Sequence, residues 1–327
     1  MHIIQFIKNW TLPIAIVTGI VSYFVYVNIP WLDSTHAVMS DIISIIQPGL
    51  IFVMLLISLC KVNPRDLRPH RWQMKMLAIQ VFSFLGLALP LIIWPDMPGQ
   101  AIIESGMACM ICPTATAASV VTSKLHGNTS YVVSYTCLTG LAAAIFIPLT
   151  VPLLHADGSL GFAHSFSLII GKVFPLLMLP LILALAIRYT LPSLHAWLIR
   201  ISYITFYLWA VALALAIGVT TKAIVHSHEH WFTYIAIAMI SIVCCLLQFW
   251  LGRRIGARHG DRIAGAQSLG QKNTAFAIWM SYTFMNPVSA LAGGFYSIWH
   301  NIINSYQLWQ ERKKGVNTIN LQQSAGH

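Results

Sequence analysis

Charge is scarce in this chain. Asp, Glu, Lys and Arg together make up 9% of its 327 residues, whereas hydrophobic residues make up 57%. A soluble globular domain carries about 25% charged residues, so that class is excluded. Acidic residues are scarcest, at 9 against 19 Lys and Arg. The net charge of +10 invites a nucleic-acid reading. No soluble basic domain is visible, however, and the basic residues cluster in short loops between apolar runs, where they set membrane topology. Nucleic acid is therefore not an expected partner. A disulfide framework is also missing: Cys60, Cys109, Cys112, Cys137, Cys244 and Cys245 all fall within or at the edge of apolar runs. No small-residue cleavage site follows the first run, so a removable signal peptide is not expected. There is no nucleophile–base pair, phosphate-binding glycine loop or metal-ligand cluster. Neither an enzyme, a tightly bound cofactor nor a resident metal is expected.

What is abundant is apolar sequence in stretches long enough to cross a bilayer. Ten spans are expected, at 10–31, 41–60, 74–94, 101–123, 129–154, 165–187, 196–221, 231–252, 263–285 and 287–309. The lipid bilayer is the expected surrounding, and the connections are short. Turn chemistry marks the breaks, as in Trp94-Pro-Asp-Met-Pro-Gly, Ala156-Asp-Gly-Ser and Arg258-His-Gly-Asp. With this count, sixteen of the 19 Lys and Arg fall on one side. They run from Lys8 through the loop Lys61–Lys75, Lys124, Arg188, Arg200 and Arg253–Arg262 to Lys314. The other side receives Lys222 with Asp33, Asp41, Asp96, Asp157 and Glu229. Both termini then lie on the basic, cytoplasmic side of what is expected to be a bacterial inner membrane. Lys172 and Lys272 remain inside spans.

A lysine at bilayer depth costs a few kcal/mol even on lenient insertion scales and marks a functional site by default. Lys272 stands in Gln267-Ser-Leu-Gly-Gln-Lys-Asn-Thr274, a polar interruption of span nine. Span four is interrupted too, at Cys112-Pro-Thr-Ala-Thr-Ala-Ala-Ser119. Pro113 removes a backbone donor there, and neighbouring hydroxyls can satisfy freed carbonyls. These are the fourth spans of two five-span halves, residues 1–156 and 157–327. Interruptions at matched places point to an inverted-repeat transporter. Half-helix N-termini at such a crossing favour anions, and the opposite ends favour a cation. The plainer alternative is a simple proline kink at Pro113 and a packing notch at Gly270.

The stretch Gly270-Gln-Lys-Asn-Thr-Ala-Phe276, followed by Met285-Asn-Pro287 and Ser297-Ile-Trp-His-Asn301, resembles the C-terminal signature of the bile acid:sodium symporter family. Cys112-Pro-Thr-Ala-Thr-Ala-Ala-Ser-Val-Val-Thr122 is similar to that family's span-four motif. The resemblance implies an all-α integral membrane protein of ten helices in two inverted five-helix repeats. Broken helices four and nine cross in a core domain (spans three to five and eight to ten) beside a panel domain (spans one, two, six and seven). It also implies transport of an organic anion, a bile acid or related carboxylate or sulfonate, by alternating access, commonly with two sodium ions.

The departures from the pattern are informative. By resemblance, the family's sodium-binding Glu falls on Ser268 and its Gln on Lys272. The span-four Ser-Asn pair falls on Ala118 and Ser119, and a span-five Ser and Thr fall on Val132 and Thr136. Gln80 is retained. The chain is thus expected to be a divergent bacterial member lacking most sodium ligands. Two sodium ions and a carboxylate sum to +1, as does one protonated lysine, so Lys272 is expected to replace sodium. The candidate substrate and ion site comprises Lys272, Asn273, Gln271, Ser268, Gln80, Thr114, Thr116, Ser119, Thr136, His300 and Asn301. Gain and loss of a proton by the lysine could couple transport to protons. A sodium-coupled symporter with relocated ligands and a non-transporting membrane sensor remain open alternatives. Cys109-Met-Ile-Cys112 reads as buried packing, and His226-Ser-His-Glu-His230 as a solvated loop.

Overall fold

The computed structural model describes residues 11–95, 97–154, 161–227 and 229–325. Lys8, Asp96, Asp157, His228 and the expected boundary between halves at 156/157 lie outside them. So do the two termini assigned to the cytoplasmic side. The described residues form thirteen α-helices and short 3-10 turns. In chain order these are α1 (Thr11–Val27), α2 (His36–Leu59), α3 (Arg71–Ile93), α4 (Gln100–Ile111), α5 (Ala117–Lys124), α6 (Thr129–Leu154) and α7 (Phe162–Thr190). Then follow α8 (Pro192–Arg200), α9 (Ile204–His226), α10 (Trp231–Ala257), α11 (Arg262–Gly270), α12 (Thr274–Phe284) and α13 (Leu291–Ala325).

Six helices (α2, α3, α6, α7, α9 and α10) are long and apolar enough to cross a membrane by length and composition. The shorter apolar stretches Pro13–Val27 and Gln100–Ile111 lie in α1 and α4. Expected span 196–221 needs correction. Pro192 opens a separate helix, α8, and residues 201–203 turn before α9 begins, so the apolar helix is displaced to Ile204–His226. The turn region is anchored to the α2–α3 loop, where Arg188 Nη1 donates to Val62 O (2.8 Å) and His195 Nε2 to Cys60 O (2.9 Å).

Two groups of helices pack side by side. In one, α9 lies against α1 and α2, and α2 against α7. In the other, α10 packs on α4, α11 and α13, while α6 packs on α3 and α11. The α10–α11 hairpin is the tightest of these contacts. A Cβ at Gly252 or Gly265 would strike the other's carbonyl oxygen, and one at Gly256 would meet the Gly265 backbone at 2.9 Å. Small residues four apart let two backbones approach closely, where dispersion drives association in lipid. Asp261 caps the second arm, its Oδ1 accepting from Ile263 N (3.0 Å) and Ala264 N (2.7 Å). Its Oδ2 accepts from Asn128 N (2.6 Å), fixing the α5–α6 loop to the same corner.

Candidate functional site

The interruptions foreseen in spans four and nine are real breaks, separating α4 from α5 and α11 from α12. The broken segments meet. Thr114 and Lys272 form an antiparallel bridge, with Ala115 N donating to Gln271 O (2.9 Å) and Asn273 N to Pro113 O (2.9 Å). Pairing the unwound backbones satisfies amides and carbonyls that the half-helices cannot.

Four helix ends converge at this bridge. The C-terminal carbonyls of α4 are taken up in sequence. Gln248 Nε2 donates to Cys109 O (3.2 Å), Lys272 Nζ to Met110 O (3.4 Å), and Gln80 Nε2 to Ile111 O (3.2 Å) and Cys112 O (3.3 Å). Those of α11 and its exit are capped likewise. Thr114 Oγ1 donates to Ser268 O (2.6 Å), Tyr296 OH to Gly270 O (2.8 Å), and Ala115 N to Gln271 O. The Cys112 thiol donates to Asn273 O (2.9 Å). Facing these ends are the first turns of α5 and α12, the latter capped by Asn273 Oδ1 accepting from Phe276 N (3.2 Å).

Lys272 is 1% exposed and among the largest fully buried side chains. Among the described residues its ammonium has two partners, both neutral oxygens: Gln80 Oε1 (3.0 Å) and Met110 O. Gln80 Oε1 also accepts from Tyr135 OH (3.3 Å). A buried charge without a counter-ion is ordinarily costly. Here the partial negative charge at the C-terminus of α4 lies against it, and cations are favoured at such an end. Four thiols (Cys109, Cys112, Cys244 and Cys245) complete its electrostatic surroundings.

On the other side of the bridge lies a cavity of about 20 Å³, room for about one water. Thr114, Asn273 and Thr136 face Leu55 and Leu59 of α2 and Leu177 and Met178 of α7 across it. It therefore sits between the two helix groups, and Lys272 is not part of its lining.

Of the residues singled out from sequence, Lys272, Gln80, Thr114, Gln271, Asn273 and Ser268 are brought together at the crossing. Thr136 joins Thr114 and Asn273 at the cavity, its hydroxyl donating to Val132 O (2.8 Å). Thr116 and Ser119 bond each other across the first turn of α5, Ser119 Oγ donating to Thr116 O (2.9 Å). Asn301 spends an N–H on Ser297 O (2.7 Å) of its own helix. His300 is buried against the edge of Tyr296, with ring centroids 5.8 Å apart and Nδ1 without a partner. Tyr296, Gln248, Tyr135 and Thr139 were not singled out. Thr139, whose Oγ1 accepts from Thr114 N (3.1 Å), lies three residues beyond Thr136 on one helix face, a spacing that could have revealed it. Gln248, a lone amide in an apolar run, carried a similar signal.

The sequence profile described as the Sodium Bile acid symporter family matches residues 48–227, more than half of the chain. No curated protein sequence matches it.

Proposed function

Because the chain belongs to the sodium bile acid symporter family, a family of membrane transporters, we propose that it carries an organic anion across the membrane without sodium, Lys272 standing in for the ion. One observation carries this reading. The Lys272 ammonium occupies Gln80 Oε1 and Met110 O at the C-terminal end of α4, the kind of place a metal cation would take. A hard cation needs a cage of oxygens. Here Ile111 O and Cys112 O already hold Gln80, and Ser268 O holds Thr114.

The substrate is a small organic anion with an apolar body. Support comes from the first turns of α5 and α12, whose positive dipole ends meet at the crossing, and from the leucine-lined wall opposite. The fixed charge behind the bridge attracts the anion without touching it, as a bound ion would. A bile acid or a related carboxylate or sulfonate fits this description. The cavity of about 20 Å³ is too small for any of these, so binding requires the two helix groups to separate. That requirement supports alternating access, with α1, α2, α7, α8 and α9 as panel and α3–α6 with α10–α13 as core.

The wider architecture is proposed as ten spans in two inverted repeats, 1–156 and 157–327. The matched breaks and the segregation of Lys and Arg support it. The same segregation supports cytoplasmic termini, and the short connections without a glycosylated ectodomain support a bacterial inner membrane. The family, one of transporters, supports a carrier rather than an enzyme. A sodium site rebuilt around Ser268 Oγ and Gln271 Oε1, both buried without a partner, is the competing reading.

The test is binding of a panel of organic anions to the purified protein, with Na⁺ or choline as the cation, on wild type and Lys272→Gln. Affinity independent of Na⁺ in wild type and lost in the variant supports the reading, and Na⁺-dependent affinity in wild type overturns it. Uptake into proteoliposomes then separates a carrier from a sensor, which would bind without flux.

A further inference from the structure

One face of α13 is polar where it is most deeply covered. Tyr296, His300, Asn304 and Gln307 recur at the helical spacing, spanning about 16 Å along the axis. Tyr296 is 1% exposed and His300 and Asn304 are each 5% exposed. The stripe continues across to α11 and α10. Gln267 Nε2 donates to Asn304 Oδ1 (3.0 Å) and Gln307 Oε1 (2.9 Å), and Gln248 Nε2 to Tyr296 OH (3.2 Å). Inside this seam, His300 Nδ1, Gln267 Oε1 and Gln248 Oε1 have no partner, and neither does the neighbouring Ser297 Oγ. Buried polar atoms are paired with protein or with water, and several orphans along one continuous polar stripe supply the polar partners that an ordered water file needs.

The ends of the seam have different surroundings. Gln307 is bonded by Gln267, two residues from Gly265, which packs on Gly252 and Gly256 on either side of Arg253 and Arg254. At the inner end, Tyr296 holds Gly270 O, two residues from Lys272, while Gln248 holds Cys109 O, next to the Met110 O that Lys272 holds. An ammonium has three N–H donors, and among the described residues that of Lys272 has two partners. The spare N–H and the orphaned Gln248 Oε1 therefore flank adjacent carbonyls of α4, the arrangement one bridging water would join.

We propose that this seam holds a file of water and is the route by which Lys272 exchanges its proton with the basic end of the molecule. The proposal deepens the sodium-free reading and rests on it: a lysine in the ion's place, wired to one face, makes the proton the coupled ion. The titratable groups around Lys272 are Cys109 and Cys112 of α4, Cys244 and Cys245 of α10, Tyr135 of α6 across Gln80, and Tyr296 of α13, with His300 packed on the Tyr296 ring. Glu104, the carboxylate on α4, is engaged at the far end of that helix with Asn286 N (2.6 Å) and Gln100 Nε2 (2.9 Å).

Radiolytic hydroxyl-radical footprinting of the wild-type protein tests the water directly, since radicals form from water at the side chain they oxidise. Corrected for intrinsic reactivity, Tyr296 and His300 should be oxidised roughly tenfold faster than Phe84 and Phe276 if water is held beside them. The comparison residues have 0% exposure. Rates as low as theirs mean a dry seam and overturn the proposal. Reductive methylation with formaldehyde and an amine-borane, read by mass spectrometry, tests the connection. Lys272 should be labelled increasingly as pH rises, and Gln267→Leu should cut its rate about tenfold by removing the polar middle of the path, leaving exposed Lys61 of the α2–α3 loop unchanged. A Lys272 rate unaltered by Gln267→Leu overturns the route. If that variant does not fold, the wild-type footprint still decides. A dry seam leaves sodium independence standing, whereas Na⁺-dependent anion binding removes the sodium-free reading and leaves the footprint untouched.

Discussion

An ammonium held by a glutamine oxygen and a helix-end carbonyl is the smallest unit of this account. Replacing Lys272 by Met keeps most of the volume but removes the charge that attracts the anion, leaving Met110 O without its lysine donor and Gln80 Oε1 with only Tyr135 OH. Anion affinity should fall at least about tenfold in Lys272→Met, the scale of 1.4 kcal/mol in binding, measured by isothermal titration on protein shown to be folded by its circular dichroism. Lys272→Gln combined with Ser268→Glu restores the polar and acidic residues of the family pattern, and binding by that double variant should become Na⁺-dependent. Lys272 was legible in the sequence because a charge in an apolar span is conspicuous. Its partners were less so. Gln80 was identifiable only by resemblance, and Met110 contributes a carbonyl that no side chain advertises. Tyr296 is unremarkable in a membrane helix until its orphaned neighbours are seen, whereas Gln248 is conspicuous as a lone amide in an apolar run.

At the scale of elements, the half-helices depend on close packing and capping some distance from the crossing. The α10–α11 hairpin has no room for side chains at Gly252, Gly256 or Gly265. Gly265→Leu should therefore separate α11 from α10, displace the Gly270–Asn273 exit, and lower the melting temperature markedly in a thermal-shift assay. Asp261 accepts from three backbone N–H groups, so Asp261→Ala should cost about 1–2 kcal/mol, as for the loss of a strong N-cap. Recovery of most of that loss by Asp261→Asn, whose oxygen can still cap, would separate capping from charge. Most helices lay near their expected positions because hydropathy and turn residues mark them. Span seven shifted because Pro192 starts a helix as readily as it ends one, and hydropathy does not distinguish α8 from the beginning of α9. The pairing of Thr114 with Lys272 lay beyond local pattern: both breaks were visible, but nothing in either segment states that they touch.

For the whole molecule, the relevant feature is the seam between two helix groups, closed down to a cavity of about 20 Å³. A Cβ at Gly140 of α6 would meet Met178 Cε of α7 at 3.3 Å, so this position lies at the joint between them. Gly140→Trp should wedge the joint and abolish anion uptake while leaving the protein folded, as judged by gel filtration. Uptake at the wild-type rate would show that the groups do not move there. The match to the family covers the first break and ends at residue 227, ahead of the second.

The most direct test is anion uptake into proteoliposomes of the wild-type protein under an inward Na⁺ gradient and under an equal choline gradient, at fixed pH and membrane potential. Sodium-free transport gives equal initial rates in the two. Uptake that rises with external Na⁺ and vanishes in choline would contradict it.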